Sequence, residues 1–197
     1  MIEHRFYPAD EVPIVSTAEW HAPRDRARHR EEWPHGGRLS QALNFARLAA
    51  EDGAASLVDL GAGDGGFLSM VAEQLPQLAA WGYEFTPANL EGARERGVTV
   101  HQANFLTQEL EWGDIAVITE VLEHLDDPHG QVERIRWEGG RWLICSSPIG
   151  ETPESHDEAH VWGWDMEAYA AMITKAGWQV THHTRVGIFQ VLAATAA

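Results

Sequence analysis

The chain has 197 residues, 44% of them hydrophobic, and a formal net charge of −16. That length suits one domain with a core large enough to need no staples, and the charge disfavours nucleic acid and anionic membranes, whose binding draws on clustered lysine and arginine. A single cysteine, Cys145, allows neither an internal disulfide nor a cysteine metal cluster; with no signal peptide and no membrane-length apolar run, it points to a reducing cytoplasm.

In chain order, residues 1 to about 35 are interrupted by Pro8, Pro13, Pro23 and Pro34 and predict an irregular arm. Four arginines within residues 24–30 read as a solvated helix face or an internal charge partner. Leu39, Ala42, Leu43, Ala46, Ala49 and Ala50 share one helical face, so a helix ends near Gly53. Ser56–Leu60 is a short apolar strand, 67–75 a helix stopped by Pro76, and 78–84 a second strand. Thr86 caps the next helix, with Pro87 at its first position and Gly97 at its end. Strands follow at 98–103 and 114–119, a helix at 129–137 and a strand at 141–146. A loop is expected from 147 to 164, then a helix capped by Asp165 that carries Ala168, Tyr169, Met172 and Ile173 to Gly177. Strands at Trp178–Val186 and 188–194 close the chain through a tight turn at Gly187. Strands alternating with helices predict a doubly wound α/β domain with a mostly parallel sheet, the closing pair adding an antiparallel edge.

The run Val58-Asp59-Leu60-Gly61-Ala62-Gly63-Asp64-Gly65-Gly66-Phe67 leaves a strand and enters a helix. Glycine suits a sharp turn that brings backbone close to a ligand, and Gly61, Gly63 and Gly66 satisfy the G-x-G-x-x-G spacing. Three details bear on the choice between S-adenosylmethionine and a dinucleotide, and two of them favour the former. Asp59 and Asp64 would repel a pyrophosphate but suit a cationic ligand. Glu84 closes the second strand, where a carboxylate accepts ribose hydroxyls for either ligand. With the last strand pair reached, a dehydrogenase substrate domain is not expected.

From about Ser56 onward the chain resembles the class I S-adenosylmethionine-dependent methyltransferases. Residues 59–65 resemble that family's first motif, Glu84 matches its acidic residue after the second strand, and Thr119-Glu120-Val121-Leu122-Glu123-His124-Leu125 is similar to its segment after strand four. Ala176-Gly177-Trp178-Gln179-Val180 resembles its entry into the closing strands. The resemblance implies a seven-stranded sheet whose last strand is antiparallel, with helices on both faces. It implies that Asp59, Gly61, Ala62, Gly63 and Asp64 wrap the methionine part of the cofactor, with Glu84 at the ribose and Glu120 close by. Asn104 stands where the family often has an aspartate facing the adenine amine, a departure that still permits a hydrogen bond. Phe85 and Phe105 flank the adenine or belong to the core. Residues 1–36 would be an arm, with Tyr7, Trp20 and Trp33 in a lid, and 37–197 the methyltransferase domain.

Ligands of open α/β sheets sit at the carboxyl ends of the strands, so the loops after strands four and five form the substrate side. His124 is the candidate base, with Glu123 beside it; His160 and His156 lie in the long loop with Trp162 and Trp164, which line the acceptor pocket or anchor the loop. The leading expectation is methyl transfer to a small-molecule hydroxyl, amine or carboxylate, with no metal ligand assigned. A first alternative is a metal-assisted RNA methyltransferase, because Glu120, Glu123, His124 and His160 resemble the metal set of the small-RNA 3′-terminal 2′-O-methyltransferases. A second is a catalytically silent cofactor-binding subunit of a modification complex. Oligomeric state stays open, since charge speaks to solubility and not to dimers.

Overall fold

The computed structural model describes residues 1–11 and 29–197. Strand β1 (Glu3–Arg5) and helix α1 (His35–Glu51) precede the strand–helix alternation. There follow β2 (Ser56–Leu60), α2 (Gly66–Gln74), β3 (Ala79–Glu84), α3 (Pro87–Arg96), β4 (Val100–Gln102) and β5 (Ile115–Thr119). A 3₁₀ turn at Leu122–His124 leads into α4 (Pro128–Trp137), β6 (Trp142–Pro148), β7 (Trp162–Trp164), α5 (Met166–Lys175), β8 (Trp178–Val186) and β9 (Phe189–Ala196). Seven of the strands form one sheet in the order β4-β3-β2-β5-β6-β9-β8. The pairs joining β4, β3, β2, β5 and β6 are parallel, and β9 is antiparallel to both of its neighbours.

The side chains of these strands alternate between faces, and that period of two sorts the core into two layers. Leu57, Ile115, Val117, Ile144 and Val191 pack against α1 and α2, among Leu43, Phe45, Phe67 and Val71. Val58, Ile118, Leu143 and Leu192 pack on the other face against α4 and α5, through Val132, Ile135, Tyr169 and Ile173. With both faces covered, the central strands read as nearly continuous apolar runs, interrupted in β2 by Asp59. Cys145 lies in this second layer, where burial pushes its thiol up to about 12, so it behaves as a small hydrophobe and not as a nucleophile.

The doubly wound architecture agrees with the expectation, and the deviations have local causes. The closing pair forms the antiparallel end of the sheet as expected, the turn at Gly187 folding β9 back between β6 and β8. Thr86 sits at the N-cap of α3 with Pro87 next, yet its hydroxyl is buried and makes no hydrogen bond. The backbone N–H groups of Phe85 and Thr86 instead donate to the Glu84 carboxylate, 2.8 Å each. Asp165 caps α5 as expected, accepting from the Ala168 N–H at 2.7 Å.

The arm and the long loop each contribute an unexpected strand, β1 and β7, which pair antiparallel with Glu3 opposite Trp164. Each has three residues, too few for an alternation to show, and their partners are far apart in sequence. Trp164 Nε1 donates to Glu3 Oε1 at 2.9 Å, Arg5 pairs with Asp126, and Phe6 stacks on His156 with ring centroids 4.1 Å apart. Of the arginine-rich stretch, Arg30 is an internal charge partner, donating to Ser69 and Glu73; Arg24, Arg26 and Arg28, like Pro13, Trp20 and Pro23, lie outside the described residues. Among the described residues no helix is long and apolar enough to cross a membrane.

Candidate active site

The strand order reverses between β2 and β5, and at such a switch point the loops part to leave a crevice at the strands' carboxyl ends. The turn after β2 uses left-handed backbone at Gly61 and Gly63, φ 76° and 55°. A Cβ on Gly61 would meet Val121 Cγ2 at 2.7 Å, so the two loops touch there; at Gly63 nothing lies within 4 Å and the turn is open. Asp59, Ala62 and Asp64 line a cavity of about 160 Å³ over this turn. Gly61 and Gly63 are shared with a second cavity of about 730 Å³. Glu84, Phe85, Asn104 and Phe105 line one end of the larger space, and Glu120, Glu123, His124 and His160 the other.

At the first end, Glu84 is buried and fully engaged. Its Oε1 accepts from the N–H groups of Phe85 and Thr86, and its Oε2 from the Gly63 N–H at 3.1 Å and Asn89 Nδ2 at 3.2 Å. It therefore ties the glycine turn to the start of α3. Asn104 Oδ1 accepts from the Leu106 N–H at 3.0 Å, an Asx turn that leaves the amide nitrogen as the group the side chain can offer. Phe85 is half-buried, while Phe105 belongs to the second core layer. Asp64 lines the smaller cavity while Arg96 pairs with its carboxylate at 2.6 Å and the Gly66 N–H donates to it at 3.1 Å, so its charge also holds the loop.

Asp59 is only 3% exposed, and burial, helped by the Glu84 charge and opposed by Arg38, pushes its carboxyl from an ordinary 3.8 up to about 7. The folded state thus favours the protonated form, and the associated stability is complete below pH 3.8 and lost as pH rises through about 7. Asp59→Asn should therefore be more stable than the parent at pH 8, by about 1–3 kcal/mol, with the difference shrinking at pH 5 and closing only below about pH 4. Thermal melts at the two pH values check this, and a constant difference would sink it.

At the far end, Glu120 ends β5 in left-handed backbone, φ 56°, the only non-glycine residue with positive φ among the described residues. Such a conformation costs about 1 kcal/mol or more and is kept where a site over-determines it. Its carboxylate accepts from Ser146 Oγ at 2.7 Å and lies 4.0 Å from Arg38 Nε; Arg38, 1% exposed, also donates to Ser146. Burial raises the Glu120 carboxyl and Arg38 opposes the shift. Glu123 is 1% exposed and neither of its carboxylate oxygens has a hydrogen-bond partner. Burial, then the Glu120 charge, pushes it well above the usual carboxylate range.

The two imidazoles are oriented from behind. His124 Nδ1 lies 3.0 Å from the Ala159 carbonyl, which can only accept, so Nδ1 carries the proton and Nε2 the lone pair. His160 Nδ1 lies 2.8 Å from both oxygens of Glu151, which places a proton on Nδ1 and makes Nε2 the lone-pair nitrogen of the neutral ring. The rings meet edge to face, centroids 4.8 Å apart. His156 also lines the cavity, with Phe6 stacked on its ring, whereas Trp162 and Trp164 anchor the loop to the arm without lining it. Tyr7 donates to the Glu158 carbonyl, and Trp33 is 80% exposed.

Arg38 and Glu151 were not singled out from sequence. Arg38 had a signal: it stands one turn before Ala42 on the apolar face of α1, where a cation needs a buried partner. Glu151 had none, being nine residues from His160 in an irregular loop.

A sheet of this order, reversed at a glycine turn and closed by an inserted antiparallel strand, is the fold of the class I methyltransferases. A family model described as a methyltransferase domain matches residues 26–183, and the chain belongs to that family. Among solved structures, human N-acetylserotonin methyltransferase in complex with S-adenosylmethionine is 14% identical, with a TM-score of 0.71 over 97% of this chain and 60% of its own. Magnesium protoporphyrin IX methyltransferase from Synechocystis PCC 6803 with bound S-adenosylhomocysteine is 15% identical, with a TM-score of 0.65 over 83% of this chain and 85% of its own. An O-methyltransferase family protein from Burkholderia thailandensis is 14% identical, with a TM-score of 0.64 over 80% of this chain and 55% of its own. The chain thus spans about 60% and 55% of the lengths of the human and Burkholderia proteins. No curated protein matches the chain.

Proposed function

We propose that the chain transfers the methyl group of S-adenosylmethionine to a hydroxyl, amine or carboxylate of a small molecule. The observation that carries this reading is the continuity of the larger cavity, which runs from Glu84 and Asn104 across the switch point to His124 and His160. The cofactor, when bound, supplies an electrophilic methyl on a sulfonium.

The residues fit that ligand better than a dinucleotide. Residues 59–66 contain no basic side chain to meet a pyrophosphate at the start of α2. The open face at Gly63 gives the backbone approach, and Asp59 gains its charge most readily beside a cation. Glu84 offers its carboxylate to ribose hydroxyls in exchange for one of its present donors. Asn104 donates to a ring nitrogen of adenine, with Phe85 and Phe105 on either side. His124 and His160 turn Nε2 lone pairs to the acceptor, whose apolar body meets Ile188 and Phe189. The net charge of −16 suits a small acceptor and not nucleic acid. Residues 3–7, within the arm assigned to 1–36, hold the loop carrying His156 and His160, and the protein works in the cytoplasm.

Calorimetric titration with S-adenosylmethionine, S-adenosylhomocysteine and NADH tests the first half of this reading. Micromolar binding of both adenosyl ligands is expected, weakened roughly tenfold by Asn104→Ala, as loss of one hydrogen bond implies. Radiolabelled methyl transfer into acceptor pools tests the second. Binding of NADH with no binding of the adenosyl ligands would overturn the proposal.

A further inference from the structure

The geometry points to a site for one divalent transition-metal ion formed by Glu123, His124 and His160 at the acceptor end of the cavity; only the use made of the ion rests on the methyl-transfer reading. One ligand atom from each residue lies within 4.8 Å of the other two. Ligands bound at about 2.0–2.2 Å stand roughly 3–4 Å apart, so side-chain adjustments of about an ångström close the set.

Two further observations favour an ion over a chance cluster. The Glu123 carboxylate is buried with both oxygens unpartnered, and a bare carboxylate in such a place calls for a cation. Both imidazoles already hold the metal-binding tautomer, His124 through the Ala159 carbonyl and His160 through Glu151. Fixing one ring nitrogen by a carbonyl or carboxylate is how proteins orient a metal-binding histidine. The frame is also stapled: the Val161 N–H donates to the Glu123 carbonyl at 2.7 Å, joining the loop of His160 to the turn that bears the other two. Glu120 stays outside the set, held by Ser146 and Arg38.

Two imidazoles and one carboxylate suit zinc, cobalt or manganese; magnesium and calcium prefer oxygen ligands alone. Three protein ligands leave a position open to the cavity. An oxygen of the acceptor fits there, and the ion lowers its proton affinity, which narrows the acceptor to hydroxyl and carboxylate compounds.

Cobalt(II) titration of the chelator-stripped chain, read by visible absorption and by dialysis, is the test. One cobalt per chain is expected, displaced by zinc and not by magnesium. Glu123→Gln and His160→Asn should each weaken binding at least about 100-fold, and Glu151→Gln, a positioning residue, about 10- to 100-fold. S-adenosylmethionine titrations on the same samples show whether each variant is folded. No bound cobalt, or binding indifferent to both ligand substitutions, would overturn the metal site while leaving cofactor binding standing. Cobalt bound without any adenosyl ligand would support the site and overturn the methyltransferase reading alone.

Discussion

Glu123→Met should raise the melting temperature of the metal-free protein by about 3–8 °C while removing the methyl transfer proposed above. The parent holds a carboxylate that is 1% exposed and has no hydrogen-bond partner on either oxygen. Leaving such a group unsatisfied costs about 1–3 kcal/mol, and methionine fills a similar volume without polar atoms. At this chain length, 1 kcal/mol corresponds to roughly 2–4 °C. Glu123→Gln should gain less, because the amide brings donors that also lack partners. Saturating zinc should then reverse the order: at about a hundred times its dissociation constant an ion adds about 2.7 kcal/mol to the parent and nothing to the methionine variant. A methionine variant less stable than the metal-free parent would mean that the carboxylate has a stabilising role of its own, and the argument for an unmet need at this position would fail.

Glu123 belongs to a group of locally costly residues gathered around one space. Asp59 is buried with its carboxyl pushed up to about 7, and Glu120 holds a backbone conformation that glycine prefers. Arg38 keeps its guanidinium under them, nearly inaccessible, with Phe189 across its face at 5.4 Å. Sequences that fold well violate local rules mainly where function requires it. Asp64 and Arg96 show the contrast: they too are charged and near the glycine turn, but they pair with each other and hold the loop.

What could be read from the sequence follows the range of the forces involved. The central strands and their helices were legible because their periodicity is local: Leu57, Val58 and Leu60 sort to opposite faces by counting alone. The glycine turn was legible because its backbone needs residues without Cβ. The pairing of β1 with β7 was not, since it joins two three-residue segments through contacts that leave no pattern in either. The cap of α3 stands at Thr86 with Pro87 after it, as its residue types predict; what the sequence could not show is that the hydroxyl stays unbonded and the Thr86 carbonyl takes the Asn89 N–H. At the far end of the cavity, His124 and His160 were legible as candidates, but not their tautomers. Those depend on the Ala159 carbonyl and Glu151, which only the folded loop brings alongside.

Glu84→Ala is expected to lower the melting temperature by about 10 °C. Its four accepted hydrogen bonds join three places: the glycine turn at Gly63, the end of β3 at Phe85 and Thr86, and the buried amide of Asn89 in α3. Removing the carboxylate leaves donors that water reaches poorly, since Thr86 and Asn89 are buried. With about 1 kcal/mol lost per orphaned donor, the total is roughly 3–4 kcal/mol. Glu84→Gln should recover only part, because one side of the amide would set its own N–H groups against the donors it inherits. The cofactor reading depends on this distinction: weak adenosyl binding in the alanine variant alone would not separate a lost ribose contact from a loosened turn. Asn104→Ala, whose side chain accepts one local bond, should melt within about 2 °C of the parent and report the ligand contact cleanly. Differential scanning calorimetry of the three variants, with and without S-adenosylmethionine, distinguishes the cases. A melting temperature for Glu84→Ala within about 3 °C of the parent would show that the turn holds without this carboxylate, and would leave Glu84 to the ligand alone.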